Sequence, residues 1–310
     1  MKNKNGIFRK SFTGLFLILA VTSFISLGGC NKEGELITSS VAEETVEAEA
    51  SSTKNSAASI STASDAFAYL TQIANGITII TSGCPTVTAT STGGTTWTIT
   101  VDYGTTPCIT VSDSIRRTGK YIISGYVSPA KDSVYGSLSF PSDSPLKIYR
   151  VKGNSSDTNY VMVQNTNSSL FSFAAGKRID TSNFRGGITV NNIFTTNSGI
   201  AKTINLVLTF NANLGVLNVF SDDSFYIKGA GTIFDNRYGV QFAYVIADSL
   251  NIRTDCRYPL RGKVGLTAQT GGSQNLTYVD FYPNSGACDG VVTILRGSFS
   301  KSVNLDSQEN

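Results

Sequence analysis

No histidine occurs among the 310 residues. That gap removes Ser-His-Asp and Cys-His nucleophilic catalysis, HExxH zinc chemistry and imidazole acid–base work. What remains is carboxylate chemistry, tyrosine or lysine nucleophiles, and metal held by oxygen. The pair Asp222-Asp223 lies between strand-like runs, where neighbouring residues point to opposite faces. That suits poorly the two acids that must flank one glycosidic bond. No Asx-rich loop has EF-hand spacing, so neither a metal nor a cofactor is expected. Arg116, Arg117 and Lys120 form a basic cluster. It has the residues to hold an acidic glycan or phosphate, or to be a solvated loop. Asp102-Tyr103-Gly104 fits a ligand-binding turn or, more plainly, a strand end closed by an Asx turn.

The five cysteines divide by position. Cys30 closes an apolar run. Cys84, Cys108, Cys256 and Cys288 remain, an even number that suggests disulfides in an exported chain. Without a CxxC pair a zinc site is poorly supported. Four cysteines allow three connectivities. Each of two segments, 84–108 and 256–288, runs from Cys through a strand, a Thr-Gly-Gly turn and a second strand to Cys. Gly93-Gly94 and Gly271-Gly272 supply the positive φ of a tight hairpin. A hairpin returns its second strand to the start of its first, which favours Cys84–Cys108 and Cys256–Cys288. The likeness of the two segments fits an old duplication or two hairpins obeying the same rules.

The run that ends on Cys30 has the layout of a secretory leader. Lys2, Lys4, Arg9 and Lys10 precede an uncharged segment from Phe12 to Leu27. That segment is too short for a comfortable membrane span. Leu27-Gly28-Gly29-Cys30 resembles a bacterial lipobox, in which small residues sit beside the cut and the cysteine sulfur takes the diacylglyceryl group. Residues 1–29 are therefore expected to be a lipoprotein signal peptide. Cys30 is expected to be acylated and to hold the chain to a lipid bilayer. The leader carries four bases and no acids, so the remainder has 21 bases against 22 acids. Without a concentrated basic footprint, nucleic acid is not an expected partner.

Residues 30–63 are rich in Ser, Thr, Ala and Glu, with no aromatic residue and no Pro. This composition reads as a lipidated Cys followed by a flexible, disordered acidic tether. A short helix then follows, with Ser64 and Asp65 as N-caps, Phe67, Leu70 and Ile73 at helical spacing, and Asn75-Gly76 as a stop. From Ile77 the pattern changes to alternation. The runs 96–102, 120–127, 160–165, 203–210, 224–229, 240–246 and 276–282 all read as strands. The expected fold is all-β, an antiparallel β-sandwich-like body over 64–303 with one short N-terminal helix. It is read as one continuous body or two subdomains, with a disordered tail over 304–310. Trp97 is expected in its core.

The stretches 98–125 and 239–294, with Asp-Tyr-Gly before a Cys, a basic Gly-Lys strand, Cys-Arg-aromatic and a later Cys-Asp, resemble an uncharacterised family of secreted β-rich lipoproteins in Bacteroidota-type bacteria. The resemblance implies a location and a β fold, and no activity. Asp280-Phe281-Tyr282 stands where a second Asp-Tyr-Gly is expected. Asp113-Ser114-Ile115, Asp132-Ser133-Val134 and Asp248-Ser249-Leu250 match the Asp-Ser/Thr-aliphatic pattern that such bacteria use for O-glycosylation. Ser114, Ser133 and Ser249 are thus candidate acceptors.

These readings imply a lipid-anchored lipoprotein of the outer membrane, on its periplasmic or its outer face. A non-enzymatic binding or scaffolding role is expected, toward a glycan or an envelope protein. Two alternatives stand beside it. A fimbrial or adhesin-type subunit that matures by cleavage after Arg is disfavoured because no Arg lies between Cys30 and Arg116. A carboxylate-based glycan hydrolase lacks a placeable acid pair.

Overall fold

A computed structural model of the chain describes residues 33–74, 76, 83–109, 115–130, 132–149, 159–165, 171–175, 184–213, 224–253, 256, 258–269, 276–282 and 288–307. The chain divides into two units, Met1–Val41 and Ala42–Asn310. The second holds all the described strands.

Among the described residues one α-helix, α1 (Glu33–Ala74), precedes the strands. The strands are β1 (Thr86–Thr92), β2 (Thr96–Asp102), β3 (Cys108–Ile109), β4 (Arg116–Thr118), β5 (Lys120–Val127) and β6 (Val134–Ser139). They continue with β7 (Leu146–Tyr149), β8 (Tyr160–Asn165), β9 (Phe171–Ala175), β10 (Phe184–Thr196), β11 (Ala201–Asn213) and β12 (Ser224–Asp235). The last five are β13 (Val240–Arg253), β14 (Arg261–Ala268), β15 (Leu276–Asp280), β16 (Val291–Arg296) and β17 (Phe299–Asn304). Every pairing is antiparallel. The hydrogen-bonded path runs β1-β2-β5-β6-β9-β10 and then through β11 to β17 in order. A second branch, β3-β4-β7-β8, joins the other half of β10 at Asn192–Thr196. The all-β antiparallel body with its N-terminal helix is as expected from the alternation.

The helix is where the structure departs from expectation. It has 42 residues rather than forming a short helix that starts at Ser64. The segment read as a disordered tether is helical from Glu33, and no residue from Val46 to Ile73 is exposed. At 1.5 Å per residue that buried stretch is about 40 Å long. Its contacts come from all sides. Phe67 meets Phe210 of β11 and Phe225 of β12 edge-on, with centroids 5.2 and 5.8 Å apart. Leu70 fills the space over Gly125 of β5, where an added Cβ would stand 2.5 Å from the leucine Cδ1. Ser59 accepts a hydrogen bond from Asn192 of β10, and Ser56 bonds Tyr244 of β13. Full burial pushes the Tyr244 hydroxyl up to about 12. The strands thus layer around α1, and the helix fills the space between them.

A helix enclosed by sheet on every face must be thin and must satisfy its own polar groups. The Ala/Ser/Thr composition meets the first need. The second is met in part by bonds back to the preceding turn, the Ser52 hydroxyl being buried without a partner. Thr53 donates to the Glu49 carbonyl at 2.8 Å, Ser64 to that of Ile60 at 3.1 Å and Thr71 to that of Ala68 at 2.8 Å. Ser64 is therefore a mid-helix residue and caps nothing. Gly76, at φ +80, ends the helix by donating its N–H to the Ile73 carbonyl.

The strands answer the helix with period-2 burial. Along β11, Lys202, Ile204, Leu206, Leu208, Phe210 and Ala212 face inward. Thr203, Asn205, Thr209 and Asn211 face out, so this sheet meets water on its outer side. The C-terminal segment is also ordered as far as Ser307. Leu305 is fully buried in a 3-10 turn (Leu305–Ser307), and Asp306 accepts a hydrogen bond from Tyr258 at 2.8 Å. The expectation of a disordered tail from residue 304 is corrected accordingly. The tail has an apolar anchor in Leu305.

An ion pair ties the helix to the sheet. Arg296 of β16 donates to both oxygens of Glu49 at 2.7 and 2.8 Å and to the Thr277 hydroxyl at 2.8 Å. Glu49 is only 2% exposed. Burial pushes its carboxyl above the usual range, against the opposing pull of Arg296. Removing the arginine would leave a lone buried carboxylate. Arg296→Met should therefore lose about 3–5 kcal/mol of stability at neutral pH. A carboxyl whose pKa is higher folded than unfolded stabilises the fold when protonated. The loss should accordingly shrink as pH falls toward the unfolded-chain value of about 4.3. Urea unfolding of both proteins at pH 7 and pH 5 measures this. A loss that is equal at the two pH values would refute the account.

Candidate functional site

The residues singled out by sequence fall into separate places. Both cystines are formed as the hairpins suggested, Cys84–Cys108 and Cys256–Cys288. Gly93 and Gly94 close the β1–β2 hairpin at φ +66 and +76. Cys30, Ser114, Asp222-Asp223 and Gly271-Gly272 lie outside the described residues. Trp97 is half-buried and packs against the core. Asp102-Tyr103-Gly104 is a strand end. The Asp102 Oδ1 accepts from the Gly104 N–H at 2.7 Å, and Tyr103 is buried. Asp280-Phe281-Tyr282 repeats the device. Asp280 accepts from the Tyr282 N–H at 3.0 Å, Phe281 is buried, and its N–H reaches the Gly262 carbonyl as that of Tyr103 reaches Gly119. The register pairs Asp102 with Lys120 and Asp280 with Lys263. The Gly-Lys strand follows the hairpin in the first case and belongs to it in the second. The two are one local solution used twice in different strand orders.

The basic cluster does not converge. Arg117 turns inward over the Tyr103 ring, while Arg116 lies over Tyr149, each 5.5 Å from the ring centroid. Lys120 reaches Asp143 at 3.8 Å. Consecutive residues on β4 point to opposite faces, which is why neighbours in sequence part in space. Ser133 sits at the β5–β6 turn, where Asp132 accepts from its hydroxyl at 3.2 Å and from that of Ser128 at 2.5 Å.

Two polar places inside the body fail as reaction sites on access and size. Lys202 donates to the Ser51 hydroxyl at 2.5 Å and pairs with Asp235 at 3.2 Å. A serine beside a lysine whose pKa is lowered by burial has the chemistry of a nucleophile and its base. Yet the three residues are 2%, 4% and 0% exposed for Ser51, Lys202 and Asp235, so no substrate reaches them. They are a second tie between helix and sheet. A cavity of about 50 Å³ lies between α1 and strands β4, β7 and β8, beside Lys54, Thr62 and Arg117. It has room for a water or two and no more.

The outer face offers a larger concavity, of about 510 Å³, where the β12–β13 and β13–β14 pairings lose regular register. β13 is bulged between Ile246 and Asn251. Opposite the bulge stands Gly262, at φ +117, where an added Cβ would lie 2.5 Å from the Ser249 carbonyl oxygen. Gly229, at φ +146, brings β12 equally close to β11, 2.3 Å from the Val207 oxygen by the same measure. A bulge bends its strand and re-aims side chains. Here it presents Asp248 and Ser249 beside Arg261 and Lys263 of β14. The Lys263 ammonium stands 3.4 Å from Asp280 and 3.8 Å from Asp248. Arg261 lies over the Tyr226 ring at 6.0 Å, and Tyr282 is more than half exposed at the far side. Two acids and two bases leave the lining without net charge.

An apolar row borders this groove on the same face. The registers align Val207, Ala230, Val245, Gly265, Tyr278 and Leu295 across six strands. Val207 is 67% exposed, and the side chains of Val245 and Leu276 close over Gly265. Sequence reading reached pieces of the groove, namely Ser249 as an acceptor and Asp280-Phe281-Tyr282 as a turn. Tyr226 and Arg261 carried no pattern of their own. Only the Gly-Lys pair at 262–263 marks, in sequence, a close backbone approach.

No family model, curated protein or solved structure matches this chain.

Gly262→Ala should lose about 2–3 kcal/mol of stability, since the new Cβ meets backbone on a left-handed residue. Gly239→Ala, at φ +61 with nothing within 4 Å, should lose only about 1 kcal/mol. Urea midpoints of the two variants test the difference, and equal losses would show that the close approach at Ser249 is not tight.

Proposed function

We propose that the chain is a lipid-anchored lipoprotein of the outer membrane with a non-enzymatic binding role, served by the outer-face groove at β12–β15. The observation that carries the anchor is the leader, which ends Leu27-Gly28-Gly29-Cys30 after a basic start and an uncharged apolar run. Acyl chains contribute about 0.8 kcal/mol per buried CH₂, so two or three chains on Cys30 hold the protein to the bilayer. No helix among the described residues is long and apolar enough to cross a membrane.

Binding rather than turnover is favoured by the arrangement of the groove. Asp248 and Asp280 both reach the same ammonium. Lys263 therefore stands where a scissile bond between two acids would have to lie. Ion pairs this exposed contribute little to stability, about 0–1 kcal/mol each. Their convergence beside two tyrosines is better accounted for by a ligand. The partners under this reading are the bilayer, through Cys30, and a glycan or envelope protein at the groove.

Expression in a lipoprotein-processing bacterium with labelled palmitate tests the anchor. The wild-type chain should take up label and fractionate with membranes, and Cys30→Ala should do neither. A wild-type chain that stays unlabelled would refute the anchor.

A further inference from the structure

The ligand of the groove can be argued from its lining, on the reading above that this groove is the binding site. The outer face of a sheet that curves around a helix is convex, and the polar outward residues of β11 show what it ordinarily presents. A depression there requires a local break. The bulge at Asp248-Ser249 and the close approaches at Gly229 and Gly262 make one. Its volume of about 510 Å³ falls within the 300–1,000 Å³ or so of small-molecule sites.

Three properties of the lining select the ligand. The carboxylates of Asp248 and Asp280 are balanced by Lys263 and Arg261, so neither a strong anion nor a strong cation is favoured. Acceptors and donors alternate within ion-pair distance of one another, at 3.4 and 3.8 Å from one ammonium. A group that both donates and accepts, such as a hydroxyl, can insert into such a network and satisfy both partners. Tyr226 and the exposed Tyr282 stand at its sides, and the row Val207, Val245, Tyr278 continues the face as apolar ground. Aromatic faces and apolar ground suit flat surfaces of C–H groups. An uncharged molecule with hydroxyl pairs on its edges and C–H groups on its faces is a sugar.

We infer that the groove formed by Tyr226, Asp248, Arg261, Lys263, Asp280 and Tyr282 binds an uncharged oligosaccharide. The carboxylates accept from paired hydroxyls, Lys263 and Arg261 donate to hydroxyl or ring oxygens, and Tyr282 takes one C–H face of a ring. Chains longer than the groove extend over the apolar row toward Val245 and Val207. The charges are held by each other in the absence of sugar, so binding is weak and only mildly dependent on salt.

The test uses the full chain, purified in detergent. It is applied to an array of linear gluco-, manno-, xylo- and galacto-oligosaccharides, with heparin and polygalacturonate beside them, and titration calorimetry follows on what is retained. The expected result is retention of at least one uncharged oligosaccharide, with Kd weakened at least tenfold by Tyr282→Ala and by Asp280→Asn. Tyr135→Ala, exposed on the distant strand β6, should leave it unchanged. Melting temperatures of all three variants, close to wild type, exclude unfolding as the cause. Polyanion binding that is lost in the groove variants and falls steeply with salt would keep the groove and overturn the ligand class. Retention indifferent to both groove variants would overturn the groove as the site. Retention of no oligosaccharide would overturn the inference outright. The palmitate label on Cys30 reads the anchor independently of all three.

Discussion

A helix surrounded on every side by β-strands has no solvent face on which to place its polar groups. The buried residues of α1 between Val46 and Ile73 are subject to that constraint. Side chains must be small where strands pass close, as at the Ala/Ser/Thr stretch, and large only where the sheet leaves space, as at Phe67 and Leu70. Hydroxyls such as those of Thr53, Ser64 and Thr71 bond back to their own helix. The deeply buried charges meet a counter-charge: Glu49 pairs with Arg296, and Lys202 and Asp235 face each other beside Ser51. The sheet is bound in turn. Its inner face is committed to one partner, and the strict alternation along β11 records it.

With the interior given over to the helix, any large concavity must open on the outside. A curved sheet turns its convex side there, and convex surfaces bury little of a ligand. The break in register through β12, β13 and β14 changes this locally. Glycines at 229 and 262 let backbones approach closer than any Cβ would permit, and the extra residues in β13 spill outward. Ser249, Asp248 and Lys263 gather for that reason. The same economy holds at the two cystine hairpins, where an Asx turn, a buried aromatic residue and a facing Gly-Lys recur with different strand orders.

The strands and both cystines were legible in the sequence because each depends on local rules. Alternation over five to eight residues marks a half-buried strand, and a hairpin brings its flanking cysteines together. The helix was illegible as a buried element for a physical reason. Ala, Ser, Thr and Glu without aromatic residues describe both a chain that cannot form a core and a helix whose core is supplied by others. What separates the two is the partner of Glu49, which lies 247 residues further on. Arg116 and Arg117 misled in the opposite sense. They are adjacent in sequence and parted by the pleat, one over Tyr149 and one over Tyr103. The groove was partly visible, through Ser249 and the Asp280 turn. Its charge balance arises only when β13, β14 and β15 are side by side.

The order in which the chain is made gives the buried helix a temporal meaning. α1 is synthesised before any strand that covers it. Its link to Arg296 closes only when β16 arrives, and contacts this distant in sequence form slowly because the loop must first be closed. Until then the helix has no sheath and the inner faces of the strands have no filling. Low hydrophobicity in α1 limits what an unfinished chain exposes to its neighbours. The aliphatic inner faces of β10 to β13 enjoy no such protection, and they are the surfaces through which an unfinished chain would aggregate. The composition that disguises the helix as a tether is thus also what lets it wait in water for the rest of the molecule.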